Sequence, residues 1–298
     1  MKKLFLTTIF ILLTSTCWAG RAQYFPKIVI GSDGIVFNDN TTQITAATAD
    51  KWTVVTSANS TSEINTAVAT GKPIFFSAGT YTITGDLICA TPGQLFSGAG
   101  IDQTIINITA ANIAGFTNGV FYFSPGEPGP VLRDITIQFE QPPNPNSLAD
   151  MNAFKPAIYA RNCSRFIISD VKIVKAYDGI DMMCPAIETV RQRIQMSSFH
   201  YGINIDGALD IIRINDLHLW PYGQLTSAQR NNVYDLTSNV GINLGGADWI
   251  EIDKMLGLTG CSFRMHGDGI GPSHILVSNS TFEDGATLRC NQDGRSTF

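Results

Sequence analysis

Charge is scarce in this chain: only 15% of its 298 residues are Asp, Glu, Lys or Arg. Ion pairing therefore cannot be the main support of the fold, and apolar packing must take its place. Lys and Arg number 20 against 25 Asp and Glu, and the pI is near 5.3. No basic stripe interrupts the sequence, which argues against a nucleic-acid partner. Long apolar runs are missing beyond the start. Residues 4–13 follow Lys2 and Lys3 and precede Cys17-Trp18-Ala19, the layout of a signal peptide over residues 1–19, and the run is too short to span a bilayer. The mature chain is expected to be exported, secreted or periplasmic, with no membrane attachment after cleavage. Cysteine is sparse as well. Of the six, Cys89, Cys163, Cys184, Cys261 and Cys290 survive cleavage, an odd set. Cys163 and Cys184 stand one repeat apart, which suits either a disulfide in an oxidising compartment or two buried thiols stacked in a core.

What is present instead is a repeat. A cell reading small, inward, outward, inward, outward occurs at Ala157-Ile158-Tyr159-Ala160-Arg161, Gly179-Ile180-Asp181-Met182-Met183 and Gly202-Ile203-Asn204-Ile205-Asp206. It returns at Gly241-Ile242-Asn243-Leu244-Gly245, Gly260-Cys261-Ser262-Phe263-Arg264 and Gly285-Ala286-Thr287-Leu288-Arg289. The starts are separated by 22, 23, 39, 19 and 25 residues. A rung of about 22 residues, lengthened in the third interval by an insertion of about 16, accounts for the series. A second strand precedes the cells, as in Phe166-Ile167-Ile168 and Trp249-Ile250-Glu251-Ile252, and a third is suggested by Val171-Lys172-Ile173 and Leu217-His218-Leu219. The fold class that follows is all-β, a solenoid of parallel strands over residues 59–298, preceded by a Thr-, Ala- and Asn-rich leader over residues 20–58. Ser60 and Glu63 form a capping-box pair that opens a short helix, which Gly71 can close. The repeat runs out soon after the Gly285 cell with no visible cap, so further chain or a partner is expected to cover that end.

Alternation within each cell assigns the faces. Ile158, Ile180, Ile203, Ile242 and Cys261 are expected inside. Outside, a first column reads Tyr159, Asp181, Asn204, Asn243, Ser262, Thr287, and a second reads Arg161, Met183, Asp206, Gly245, Arg264, Arg289.

Residues 60–110 carry more than a repeat. A capping helix, a strand with Ala78-Gly79-Thr80-Tyr81, and Gly98-Ala99-Gly100 followed by Thr104-Ile105-Ile106 resemble the N-terminal end of the pectate-lyase-like (pectin lyase fold) superfamily. The resemblance implies a single-stranded right-handed parallel β-helix whose helix plugs the N-terminal end, and it extends to pectin-degrading enzymes and tailspike depolymerases. The stretch Ile35-Val36-Phe37-Asn38-Asp39-Asn40-Thr41-Thr42-Gln43-Ile44-Thr45-Ala46-Ala47 is similar to a short segment near the start of phage tail-fibre and tailspike proteins, with Asn40 where Gly is usual. Of the polygalacturonase signature only fragments occur, around His266-Gly267-Asp268-Gly269 and Leu288-Arg289. An adjacent Asp pair on a rung is missing, so that activity is not expected.

Two insertions, residues 140–155 and 220–239, enter the same strand position from the same side and should rise from one edge of the solenoid. Between them the sequence places a groove floored by Asp181 and Asp206, walled by Phe154 on one side and Trp220 and Tyr222 on the other. From rung and residue spacing, the two aspartates have Cα atoms roughly 8 Å apart. That separation is compatible with acid and base work on a glycosidic bond, or with solvated surface carboxylates. Arg264, in the same expected column as Asp206, would serve a lyase by neutralising a uronate carboxylate. Tyr159, Arg161, His200, Asn204, Trp220, Tyr222 and Asn243 are the expected substrate contacts. His200 is either a proton carrier or a structural turn histidine. No dense acidic cluster announces a metal, so no cofactor is expected, with Ca²⁺ entering only for a lyase. The leading expectation is a polysaccharide lyase or glycosidase acting on an acidic or complex glycan. The rivals are a non-catalytic glycan-binding adhesin or tailspike-type receptor-binding protein, and a purely structural solenoid. A homotrimer packed through the solenoid flanks suits either glycan reading.

Overall fold

The computed structural model describes residues 29–31, 34–36, 42–43, 52–124, 126, 128–183, 189–266, 274–282 and 288–291. The signal-peptide segment, Cys184, Gly267-Asp268-Gly269 and Gly285-Ala286-Thr287 lie outside these residues. The chain divides into two units, Met1–Ala49 and Asp50–Phe298. In the first, Val29–Gly31, Gly34–Val36 and Thr42–Gln43 form an antiparallel three-stranded sheet. Part of the tail-fibre-like stretch lies there, Ile35 pairing with Gln43.

The second unit is a parallel β-helix. Among the described residues 18 strands form one continuous sheet, paired in parallel between strands one rung apart. The first strand, Thr53–Val55, pairs with Ile74–Phe76, so the sheet begins upstream of residue 59. Each rung crosses three faces. The face that carries the repeated cell includes Leu87–Cys89, Phe121–Phe123, Ile158–Arg161, Val240–Leu244 and Cys261–His266. It also includes the ends of the long strands Ile167–Met183 and Thr189–Ile205, and we call it the site face. The second face follows it and the third leads into the next rung.

At the N-terminal end the helix Thr61–Val68 is capped as its sequence requires. Ser60 N–H donates to Glu63 Oε2 at 2.7 Å and Glu63 N–H donates to Ser60 Oγ at 3.3 Å. The Ser60 backbone N–H and then its hydroxyl, both donating to the carboxylate, hold Glu63 below its ordinary value. Ile64 and Val68, one turn apart, are buried on the core-facing side. Gly71 closes the segment at φ +71°.

The interior is a set of stacked apolar columns. Ile158, Ile180, Ile203 and Ile242 are partners in successive rungs and each is 0% exposed. The next residue in that column is Phe263, not Cys261. The expected frame is therefore off by two residues from the Gly260 cell onward: Arg264 partners Asn243, and Arg289 partners Arg264. The reason lies in why each glycine is small. A Cβ on Gly179 would stand 2.4 Å from the Gly202 carbonyl oxygen, and one on Gly202 would stand 2.3 Å from that of Gly241. These residues are small because the next rung lies against them, and the role passes from Gly241 to Ser262. Gly260 is small for another reason: its Cβ would meet the Leu236 carbonyl oxygen at 2.1 Å, in the second insertion. It does not mark the repeat.

Between the second and third faces the chain turns on one residue per rung. Asp134, Asp170, Arg193, Asp216, Lys254 and Asn279 all have φ between 49° and 61°. The pairings on either side of each place them in one column. Asp and Asn tolerate the left-handed region better than other non-glycine residues. Arg193 bonds Asp170 with both guanidinium branches, Nη2 to Oδ2 at 2.6 Å. That ion pair holds the Asp170 carboxyl below the usual carboxylate range.

Of the cysteines whose side chains are described, Cys89 and Cys163 are buried. Burial pushes the Cys89 thiol up to about 11. Among the described residues no helix is long and apolar enough to cross a membrane.

Candidate functional site

The strand Ile167–Met183 passes from the third face onto the site face with register irregularities at Ala176 and Asp178. At that bend Tyr177 and Asp178 depart from strict alternation and are only half-buried, and three residues later Asp181 points outward. Both carboxylates line one open cleft of about 350 Å³. Its other walls are Thr117 and Asn118 two rungs earlier, the end of the first insertion at Ala153, Phe154, Lys155 and Pro156, and Tyr159 and Tyr177.

Each carboxylate is held by its own partners. Asp178 Oδ1 accepts from the Tyr201 N–H at 3.2 Å and lies 2.9 Å from His200 Nδ1. Its Oδ2 meets no partner among the described residues. His200 is packed between Tyr177, at 5.2 Å between ring centroids, and Tyr201, at 3.7 Å. Burial, then the nearby Asp178 charge and Tyr201, hold the Tyr177 hydroxyl above its ordinary value, so it stays a donor across the neutral range. Asp181 is clamped instead. Arg161 donates to its Oδ1 at 3.4 Å and to its Oδ2 at 3.1 Å, and Asn204 Nδ2 donates to Oδ1 at 3.1 Å. The Arg161 guanidinium lies 3.7 Å above the Tyr159 ring, which itself packs on Tyr122 at 5.7 Å.

The outward column of the site face reads Ile88, Tyr122, Tyr159, Asp181, Asn204, Asn243, Arg264 in successive rungs. Of the residues singled out in the sequence, Tyr159, Arg161, Asp181, Asn204, Asn243 and Arg264 are therefore gathered on one face, with Arg264 in the first column rather than the second. His200 reaches the cleft through Asp178. Asp206 stands in the other column beside Met183, and its Oδ1 accepts the Gly246 N–H at 3.2 Å. It does not line the cleft.

The two insertions correct the expected groove. They do not wall it from opposite sides but close on each other. Thr226 Oγ1 donates to the Pro143 carbonyl at 2.5 Å, Gln229 Nε2 to Pro142 at 2.7 Å, and Asn232 Nδ2 to Pro145 at 2.8 Å. Beneath these bonds Met151, Phe199 and Val233 form a small apolar core of their own. The open cleft is consequently displaced to the side of the first insertion. Trp220 and Tyr222 do not line it: they pack on each other at 5.1 Å, Trp220 also on His218 at 4.7 Å, with Arg230 over the Tyr222 ring. Phe154 reaches the cleft wall but is 2% exposed and packs on Phe139 in the main core, so it offers no free ring face for a sugar.

Sequence reading missed Asp178, Tyr177 and Lys155. The signal was available: Tyr177-Asp178-Gly179 and His200-Tyr201-Gly202 are polar or aromatic pairs set directly before a stacking glycine, one rung apart. Cells that start at the glycine leave such pairs out. Among the described residues no cluster of His, Cys, Asp and Glu could hold a metal ion.

Neither a family profile nor a curated protein matches the chain. Solved structures do share its fold. The pre-mature gene product 12 of bacteriophage phi29 is similar at a TM-score of 0.57 and 13% identity, covering 76% of this chain and 31% of that one. The catalytic domain of a GH87 alpha-1,3-glucanase in complex with nigerose is similar at a TM-score of 0.51 and 13% identity, covering 78% and 45%. A D1069A form of that domain, also with nigerose, gives 0.51 at 14% identity, covering 79% and 46%. This chain thus spans less than half the length of these structures, and at such identities the likeness is one of fold.

Proposed function

We propose that this protein engages an extended glycan along the site face and hydrolyses it in the cleft over Asp178 and Asp181. The observation that carries the reading is that two carboxylates, three residues apart on one strand, open into the same cleft. A strand rises about 3.3 Å per residue, so their Cα atoms are at most about 10 Å apart. The carboxyl groups can therefore stand at the separation of roughly 6.5–9.5 Å that leaves room for a water in an inverting glycosidase. Asp178, with one oxygen uncommitted and the other oriented by His200, suits the proton-transfer role. In that geometry Asp178 gives a proton to the leaving oxygen, and Asp181, held by a guanidinium and an amide, takes the proton of the water whose oxygen adds to the anomeric carbon. Tyr159, one ring face of which is taken by Arg161, and Tyr122 continue the column on one side as the aromatic surface nearest the cleft for a sugar ring.

Elimination is less well served. The lyase arrangement of Asp206 with Arg264 would need the two beside each other at the cleft, and Asp206 is turned to Gly246 while Arg264 is three rungs from Asp181. Lys155 is the cation at the cleft edge, and it favours a glycan carrying some negative charge. The phage and glucanase structures that share the fold agree with a glycan-active or tail-type protein, and a pectate-lyase-like ancestry remains part of the proposal.

One observation favours a second reading, binding without cleavage: both oxygens of Asp181 are already engaged. The two separate in one assay. The chain is incubated with a panel of neutral and acidic polysaccharides, and reducing ends and the absorbance of unsaturated ends are both followed. Reducing ends without absorbance, lost in Asp178→Asn, support hydrolysis. Absorbance selects a lyase, and saturable binding with neither product selects the adhesin.

A further inference from the structure

From Arg264 to Asp181 the outward column is one unbroken hydrogen-bonded chain. Arg264 Nε donates to Asn243 Oδ1 at 2.7 Å, Asn243 Nδ2 donates to Asn204 Oδ1 at 2.6 Å, and Asn204 Nδ2 donates to Asp181 Oδ1 at 3.1 Å. A guanidinium can only donate and a carboxylate can only accept. The two ends therefore fix the sense of every link. Turning over either amide would set donor against donor on one side and acceptor against acceptor on the other. Asn243 is 2% exposed, so water has little access to replace it. Arg264 is itself anchored, its Nη2 donating to Tyr201 Oη at 2.7 Å with the guanidinium 5.1 Å from that ring.

We propose that Arg264 is a positioning residue for Asp181, acting through Asn243 and Asn204 across three rungs, a distance of about 14 Å at the ordinary strand spacing. Asp181 is held between a direct guanidinium, Arg161, and a remote one whose orientation is relayed by two amides. Links of this kind polarise one another, so removing the far donor loosens the near bond. Without the relay the Asn204 amide is free to reverse, and Arg161 alone then sets the direction of the Asp181 carboxylate. The consequence for glycan cleavage rests on the reading of the cleft given above; the chain itself does not.

The test uses the full chain and two readouts. The first is the Asn204 side-chain amide in ¹⁵N-labelled protein, a group that Arg264 does not touch. In Arg264→Leu its two proton resonances are expected to move and their exchange with solvent to quicken about tenfold, while Arg264→Lys, which still donates, keeps them near the wild-type positions. Tyr201→Phe, which leaves the Nε link in place, should also leave them near wild type. Asn204 resonances unchanged in a folded Arg264→Leu protein overturn the proposal. If Arg264→Leu does not fold, Arg264→Met, which keeps an apolar stem and likewise removes the donor without touching Asn204, is read in the same way. The second readout is cleavage. Arg264→Leu is expected to lower kcat about tenfold with little change in KM, Arg264→Lys to recover most of it, and Arg264→Leu combined with Asn204→Val to be no worse than Asn204→Val alone. Additive losses overturn the relay. Displaced Asn204 resonances in a protein that cleaves no glycan would uphold the relay and sink the hydrolase reading.

Discussion

Two columns of polar residues climb this solenoid at one residue per rung, and they differ in how their contacts are arranged. At the corner between the second and third faces, Asp134, Asp170, Arg193, Asp216, Lys254 and Asn279 share a left-handed backbone. Arg193 pairs with Asp170 across adjacent rungs and both are partly open to water. On the site face, Asp181, Asn204, Asn243 and Arg264 form a directed chain that ends at a cleft. The corner contact closes on itself and stabilises a turn. The site-face contacts pass an orientation along and deliver it to one carboxylate. Periodicity alone therefore does not separate a structural ladder from a functional one; the direction of the bonds does.

The largest effect should come from the platform that the two joined insertions form over Met151, Phe199 and Val233, which belongs to the site side only. Phe199 is fully buried between the two insertions, so Phe199→Ala is expected to cost about 3–5 kcal/mol locally. Limited proteolysis should then cut within residues 140–155 and 220–239 while the corner strands stay protected. Cleavage spread evenly over all rungs would show that the platform is not a separate unit. Next in size is Gly202→Ala, whose Cβ would stand 2.3 Å from the Gly241 carbonyl oxygen. Separating two rungs at that point should lower stability by about 1–3 kcal/mol, read as a fall in the thermal midpoint. At the corner the sign reverses. Lys254 holds φ +57°, so Lys254→Gly should be neutral or stabilising by up to about 1 kcal/mol, because glycine takes that conformation without strain.

How much of this was legible follows from which contacts are periodic. The inward Ile158, Ile180, Ile203, Ile242 column and the stacking glycines repeat with the rung, and so the parallel solenoid and the faces of Tyr159, Asp181, Asn204 and Asn243 could be read from sequence. Gly260 looked like another member of that series because closeness to the second insertion selects glycine as strongly as closeness to a neighbouring rung does. A frame started at Gly260 is off by two residues and puts Arg264 in the second column instead of the first. The platform was illegible for a different reason: the bonds from Thr226, Gln229 and Asn232 to Pro142, Pro143 and Pro145 span more than eighty residues in sequence, and no local pattern encodes them. Asp178 fell in the bend just before the cell, where alternation breaks.

The smallest predicted effect concerns pH. Arg193 holds the Asp170 carboxyl below its ordinary value. A depressed folded-state value contributes stability above the unfolded carboxylate range and loses it as pH falls through the folded value. Asp170→Asn should therefore melt slightly below wild type at pH 6, and the difference should shrink steadily as pH falls below the ordinary carboxylate range. A difference that does not shrink as pH is lowered would mean that the corner depends on something other than the ion pair.

The central claim is that the cleft over Asp178 and Asp181 is where this protein meets a glycan. The most direct measurement is a crystal structure of the Asp178→Asn protein with an oligosaccharide drawn from whichever polysaccharide the wild type engages. The account predicts a sugar ring against Tyr159, with the substituted Asp178 side chain within hydrogen-bond reach of a glycosidic oxygen. An oligosaccharide seated instead along Trp220 and Tyr222, with the cleft empty, would contradict it.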